Sequence, residues 1–285
     1  MNDKITIHAT GDDGECICYP FNSTVFPGGE PHVQIDPKFI VKRNIWVDAR
    51  LNSSTGFMSL LVLLDAIKAC KPRSLGLFIP YFPGARQDRR ETGTALTARV
   101  YADIINKQSL DCVAVFDPHS EVTTSLLGAD VISIEDIFKP NKIDYAGVIC
   151  PDAGAEKRVN RFVKTTSIET IIHARKHRDV RTGKLSGFEI EALPLCRKYL
   201  VLDDICDGGG TFIGLADAIP KHCHDYKLDL WVSHGIFSKG VEELLGKYDR
   251  IITTDSFPNK IEPNQRIIVN KLYPYAAELM EKRLC

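Results

Sequence analysis

Tyr199-Leu200-Val201-Leu202-Asp203-Asp204-Ile205-Cys206-Asp207-Gly208-Gly209-Gly210-Thr211 is an apolar run that ends in two acids and passes through three glycines into a new apolar stretch. The run predicts a strand over Tyr199–Leu202, and the residues after it a helix over Thr211–Ile219. Backbone N–H groups at a helix N-terminus point outward and its dipole favours an anion. Glycines let the backbone approach a phosphate closely. Asp203 and Asp204 would stand at the carboxyl end of the strand, where open α/β sheets bind ligands, and carboxylates there can accept hydrogen bonds from sugar hydroxyls. The stretch reads as a cradle for a pentose phosphate. It is not a Walker loop, because no Gly-Lys-Ser/Thr follows the glycines. The plainer reading is a glycine turn with an Asp capping the helix.

Outward from this stretch, short apolar runs alternate with helical ones. Strands are expected at Lys4–Ala9, Asn44–Asp48, Leu75–Pro80, Cys112–Phe116, Ala146–Cys150, Thr170–Ala174, Tyr199–Leu202, Asp229–Val232 and Ile267–Val269. Helices are expected at Thr55–Cys70, Ala95–Lys107, Glu156–Phe162, Thr211–Ile219, Gly240–Leu245 and Ala276–Lys282. Runs such as Cys112-Val113-Ala114-Val115-Phe116 do not alternate, as suits strands buried on both faces of a parallel sheet flanked by helices. A weak repeat joins Trp46-Val47-Asp48, Thr55-Gly56-Phe57 and Asp65-Ala66-Ile67 to Val201-Leu202-Asp203, Thr211-Phe212 and Asp217-Ala218-Ile219. It predicts two tandem α/β domains, 1–143 and 144–285, with the last helix free to pack on the first.

Charge and composition exclude several classes. The 285 residues carry 36 Lys plus Arg and 37 Asp plus Glu, a net −1. That balance gives no global attraction to nucleic acid or anionic membrane, so any polyanion site is local. The apolar run Leu60–Leu64 stops at Asp65, far short of the ~18 residues that span a bilayer. Met1-Asn2-Asp3-Lys4 has no signal-peptide layout, and nine scattered Cys contain no Cys-x-x-Cys pair. Reduced thiols and a cytoplasmic location are expected. His222-Cys223-His224 lacks the spaced ligands of a metal site.

Four further stretches carry chemistry. Ile79-Pro80-Tyr81-Phe82-Pro83-Gly84-Ala85-Arg86-Gln87-Asp88-Arg89-Arg90 ends in three Arg and one Asp, a local +2. Guanidinium forks suit phosphate oxygens. Phe116-Asp117-Pro118-His119-Ser120 puts a His after a strand, and Cys150-Pro151-Asp152-Ala153-Gly154 puts an acid before a helix, where it is also a natural cap. Arg175 to Lys184 holds five cations and one Asp, a local +4 without His.

The glycine loop resembles the ribose-phosphate loop shared by type I phosphoribosyltransferases and ribose-phosphate diphosphokinases. The arginine, Asp-x-His and Pro-Asp-Ala-Gly segments resemble the diphosphokinases in order. So do Phe26-Pro27-Gly28-Gly29-Glu30 and the late segments Ser233–Ser238 and Ile252–Pro258, and the resemblance spans about residues 20 to 275. It implies two phosphoribosyltransferase-like domains and transfer of the diphosphoryl group of ATP to ribose 5-phosphate. Arg86, Gln87 and Asp88 would hold ATP; Phe26, Gly28 and Glu30 would reach the adenine of a neighbouring subunit in a homo-oligomer. Asp203, Asp204, Asp207, Gly208, Gly209, Gly210 and Thr211 would bind ribose 5-phosphate. His119 and Asp152 would place Mg²⁺. Lys176 and Arg178, with His119, would be catalytic, Arg175 and Arg181 being the competing register. No nucleic-acid or membrane partner is expected. The sequence departs from the pattern at Gly208, where the loop usually has Thr, at Pro118, and over Glu121–Asp130. The rival readings are a non-catalytic regulatory relative and a type I phosphoribosyltransferase.

Overall fold

The computed structural model describes residues 3–10, 16–140, 144–178, 185–190, 193, 197–220 and 226–285. They form two compact units. The first comprises Met1–Ser133, Ser256–Pro258 and Leu272–Cys285, the second Ile134–Asp255 and Asn259–Lys271. Among the described residues no helix is long and apolar enough to cross a membrane.

In the first unit the strands are β1 (Lys4–Thr10), β2 (Cys16–Tyr19), β3 (Asn22–Val25), β4 (Pro31–Gln34), β5 (Asn44–Arg50), β6 (Ser74–Phe78), β7 (Cys112–Phe116) and β8 (Asp130–Ile132). Its sheet has the order β2-β1-β5-β6-β7-β8, with β5 through β8 parallel and β1 and β2 antiparallel at one side. β3 and β4 form a separate hairpin. All seven residues of β5 are buried, which explains its unbroken apolar reading. One face packs on α1 (Ser54–Ala69) and α2 (Thr97–Asn106), through Leu60, Leu63, Leu64, Ile67, Ala98, Ala102 and Ile105. Each fully buried Leu or Ile contributes about 1.5–3 kcal/mol. α3 (Glu121–Leu127) follows β7. The last helix, α8 (Tyr273–Leu284), lies on β6 and belongs to this unit: a Cβ on Gly76 would meet Met280 Sδ and Leu284 Cδ1, each at 3.0 Å.

β1 also carries a buried histidine. His8 is 4% exposed, stacked 4.2 Å from the Trp46 ring and beside Tyr273, with Nδ1 unpaired among the described residues. Burial, then the charge of Arg50, pushes its pKa down to about 4 from 6.5. The unfolded chain therefore takes up this proton first as pH falls. Stability from this group is complete above about pH 6.5 and is lost as pH falls through about 4, by roughly 3 kcal/mol in total. Urea midpoints measured from pH 7.5 to 4.5 are expected to show this slope and His8→Phe to flatten it; equal slopes would rule the assignment out.

The second unit contains α4 (Ile134–Ile137), β9 (Gly147–Cys150), α5 (Glu156–Lys164), β10 (Ile171–Arg178), β11 (Leu185–Ile190), β12 (Lys198–Cys206), α6 (Gly210–Ala218), β13 (Lys227–Gly235), α7 (Glu242–Leu245), β14 (Arg250–Thr254) and β15 (Ile267–Asn270). Its sheet runs β11-β10-β9-β12-β13-β14-β15, parallel except for β11. Residues after Ser133 join this unit because Phe138 stacks on Trp231 at 4.6 Å and on Phe162 at 5.9 Å. β12 is central. It runs four residues past the Leu202 expected from hydrophobicity, because its ladder with β13 continues through Asp203, Ile205 and Cys206. The two acids thus sit inside the strand, not after it.

Candidate active site

The glycine loop is built by its neighbours. Gly209 caps α6 with φ +78°, in the left-handed region, and a Cβ there would also meet Leu244 at 3.3 Å. Glycine is required on both counts. A Cβ on Gly210 would meet nothing within 4 Å, and one on Gly208 only the methylenes of Lys239 at 3.5 Å. The turn after β13 straps the loop down. Ile236 and Phe237 amides donate to the Cys206 carbonyl at 2.9 and 3.1 Å, and the Ser238 amide to that of Asp207 at 3.1 Å. The Ser238 hydroxyl donates to Asp207 Oδ1 at 2.6 Å. Tyr248 donates its hydroxyl to the Phe212 carbonyl at 2.8 Å and so fixes the first turn of α6. In sequence, Ser233–Ser238 was recognisable only by its order among motifs; in the fold it positions the loop.

The repeated copy in the first unit is capped differently. There α1 is capped by Ser53, whose hydroxyl accepts the Gly56 amide at 2.9 Å. The Asp3 carboxylate fills the remaining place. It accepts the amides of Asn52 (2.7 Å) and Ser53 (3.1 Å) and the Ser53 hydroxyl (2.6 Å), and a side chain on Gly56 would overlap it. At α6 the cap residue is Gly209, which has no side chain to offer. The same strand–loop–helix unit thus has a serine cap with an acid beside it in one copy and a glycine cap in the other.

Asp203 and Asp204 share a partner that the sequence reading missed. Arg158, 7% exposed on α5, donates Nη2 to Asp204 Oδ2 at 3.4 Å and places Nη1 3.9 Å from Asp203 Oδ1. The Asp204 amide donates to Asp203 Oδ1 at 2.9 Å. Burial first, then the charge of Asp204, holds the Asp203 carboxyl well above the usual carboxylate range, and Asp152 adds to the effect. Burial also pushes the Cys206 thiol up to about 12, so it stays a neutral packing group. The signal for Arg158 was helical spacing: it lies beside Val159 and four residues before Phe162, both buried.

Asp152 stands just before α5. Its Oδ1 accepts the amides of Gly154 (2.9 Å) and Ala155 (3.3 Å), so it orders the entry turn, while Ala155 is the helix cap itself. Were all three carboxyls of Asp152, Asp203 and Asp204 ionised, Arg158 would offset only one of them, and this crowding is part of what holds the Asp203 proton on. Among the described residues no three or more His, Cys, Asp or Glu side chains converge as a ready metal cage. Crowded carboxyls without a cage suit Mg²⁺, which keeps water and substrate phosphate as most of its ligands.

The other expected residues lie as follows. Lys176 and Arg178 fall in β10, whose backbone pairs with β11 through a register shift at His177/Arg178; their side chains, like Arg181 and His222–His224, lie outside the described residues. In the first unit, Arg86 and Gln87 are exposed and Asp88 half-buried, after a turn in which the Gln87 amide donates to the Gly84 carbonyl at 2.9 Å. Gly84, φ +75°, leaves no room for a Cβ beside Thr97 and Tyr101. His119 is exposed in the link from β7 to α3, after the buried Asp117. Phe26, 53% exposed, Gly28 and Glu30 form the tip of the β3–β4 hairpin, closed by Phe26 N–H to the Glu30 carbonyl at 2.9 Å.

The chain is similar to known proteins along most of its length. Residues 15–108 match the family described as the N-terminal domain of ribose phosphate pyrophosphokinase. A ribose-phosphate pyrophosphokinase of Hyphomonas neptunium is 27% identical over 229 residues, covering 77% of this chain and 72% of that protein. One from Sulfurisphaera tokodaii is 27% identical over 256 residues, covering 86% and 87%. The crystal structure of phosphoribosylpyrophosphate synthetase from Mycobacterium smegmatis superposes with a TM-score of 0.76 over 92% of this chain and 89% of that one; at 18% identity it speaks to the fold. The family match over residues 15–108 and relatives that align along most of both chains point one way: the chain is similar to the ribose-phosphate pyrophosphokinases.

Proposed function

We propose that this enzyme transfers the β,γ-diphosphoryl group of ATP to the 1-hydroxyl of ribose 5-phosphate, giving 5-phosphoribosyl 1-diphosphate and AMP. The observation that carries this reading is the glycine-capped α6 N-terminus beside the two acids that share Arg158, on a chain whose relatives bear that activity in their names. Asp207–Thr211 would hold the 5-phosphate, and Asp203 with Asp204 the ribose hydroxyls. Arg86, Gln87 and Asp88 would hold the triphosphate, and Phe26, Gly28 and Glu30 the adenine of a neighbouring copy in a homo-oligomer. The 1-oxygen attacks the β-phosphorus in line. Its bond to phosphorus forms as the α,β-bridging oxygen leaves with AMP, and the hydroxyl proton is released.

Such a reaction needs positioning and charge stabilisation, not covalent catalysis. Lys176 and Arg178 would stabilise the transferring group, with His119 contacting phosphate. Mg²⁺, when bound, supplies charge neutralisation of the phosphates, and Asp152 and His119 are the residues that would hold it. The crowding of Asp152, Asp203 and Asp204 around the single cation Arg158 supports this, because a cation arriving with substrate would favour their ionised forms. A cytoplasmic location suits these substrates.

The test is the nucleotide product. With ribose 5-phosphate, Mg²⁺ and ATP, the protein is expected to form AMP in a 1:1 ratio to sugar consumed, read by chromatography and ³¹P NMR. ADP, or no turnover, would overturn the proposal.

A further inference from the structure

We infer that Lys239 is a ligand of the sugar phosphate, a cation delivered to the glycine loop from the turn after β13. The inference rests on Asp207–Thr211 being the phosphate cradle. Three observations point to it. First, the stem of Lys239 lies along Gly208: Cδ and Cε are each 3.5 Å, and Cγ 3.8 Å, from where a Cβ on Gly208 would stand. The ammonium is one bond beyond an atom already against the loop.

Second, the backbone fixes this placement. Phe237 at φ +49° and Gly240 at φ +79° bracket a turn closed by Gly240 N–H to the Phe237 carbonyl at 2.9 Å. Ser238, the residue before Lys239, is bonded twice to Asp207. A lysine in this turn cannot drift from the loop without breaking those bonds.

Third, Lys239 is exposed and makes no hydrogen bond or ion pair among the described residues, so its charge is uncommitted. The cradle needs such a charge. Asp203, Asp204 and Asp207 lie just before the glycines in sequence, and Arg158 is already engaged by the first two. Helix-end dipoles alone would have to hold a phosphate dianion against these carboxylates. Gly208 also lacks the hydroxyl that Thr would supply, and the Lys239 stem lies at contact distance from the place where that side chain would begin. A point-charge ammonium suits a terminal phosphate, which presents oxygens in all directions.

The experiment compares Lys239→Gln, Lys239→Arg and Gly209→Ala with the unaltered enzyme. It measures KM for ribose 5-phosphate, KM for ATP, and competitive inhibition by inorganic phosphate. A lost charge-assisted hydrogen bond predicts that Lys239→Gln raises KM for ribose 5-phosphate by about 10- to 100-fold. KM for ATP is expected to stay within about twofold, and the phosphate inhibition constant to rise in parallel. Lys239→Arg is expected to recover most of the affinity, since charge and reach are kept. Gly209→Ala, which strains the loop itself, should also raise KM for the sugar phosphate. If Gly209→Ala does so and Lys239→Gln leaves it within twofold, the role of Lys239 is wrong and the cradle stands. If neither variant moves it, the cradle reading itself fails. Because Lys239 is exposed, a thermal midpoint equal to that of the unaltered enzyme is expected and separates binding from folding.

Discussion

Lys176→Ala is expected to lower kcat by about 10²–10³-fold, with KM for ATP within about threefold. In diphosphoryl transfer, negative charge builds on the bridging oxygen that leaves with AMP while the transferring group is spread between two oxygens. A cation that meets this charge mainly at the transition state acts on kcat and little on ground-state binding. Arg175–Lys184 has the density to supply it, five cations against one Asp. Alanine at 176 should leave the fold intact, because the backbone there is held by pairing opposite Phe188 in the β10–β11 ladder. The measurement is steady-state turnover with both substrates varied, with ATP affinity from equilibrium binding. Unchanged turnover would mean that the register is wrong; Arg175→Ala and Arg181→Ala then identify the group that acts. A loss confined to KM for ATP would instead assign Lys176 to ground-state binding.

How much of this was legible in sequence depends on burial. Strands covered on both faces announce themselves: Cys112–Phe116 is found with the expected bounds, and Asn44–Asp48 and Ile267–Val269 within two residues of theirs. The β3–β4 hairpin was missed because β3 is exposed at all four positions and has no apolar face to read. β8 is three residues long, and α4 only four, too short for any period to register. Polar residues misled the reading of β12, where Asp203 and Asp204 look like a strand's end but continue its ladder.

The site divides in the same way. Gly209 was readable, since a glycine between a strand and a helix implies a backbone that only glycine adopts freely. Arg158 was not, because a buried cation is recognised by its partners, and these lie 45 and 46 positions away in the chain. Asp3 was invisible for the same reason: it reaches the N-terminus of α1 from the start of the neighbouring strand β1, 49 residues before Asn52. Side chains that act locally are written in motifs, whereas those that compensate charge are written in the fold.

The largest expected loss of stability follows from that second kind of residue. Asp229→Ala is expected to destabilise the second unit by about 3–5 kcal/mol. Asp229 is fully buried near the start of β13. Its Oδ2 accepts from Arg250 Nη2 (2.7 Å) and Nε (2.9 Å) and from the Tyr145 hydroxyl (2.7 Å), and pairs with Lys198 Nζ at 2.8 Å. Lys198 begins β12 and Arg250 begins β14, so one carboxylate joins the amino ends of three adjacent strands. Burial and the Asp229 charge also hold the Tyr145 hydroxyl well above its ordinary range, which keeps it a donor. Removing the carboxylate leaves two cations side by side and a buried phenol with no acceptor for its proton, Arg250 Nη2 being only a donor to it at 3.4 Å. Lys198 and Arg250 are 27% and 36% exposed and can turn partly to water, which places the loss toward the lower end of that range. Urea denaturation should show a lower midpoint at an unchanged slope. Parallel sheets bind ligands at the carboxyl ends of their strands, so substrate KM values should hold wherever the variant is folded. Combining Asp229→Leu with Lys198→Met and Arg250→Met should recover much of the loss, because an ion cluster removed as a whole leaves no orphaned charge. A loss under 1 kcal/mol in the single variant would show that these strand ends are held by packing alone.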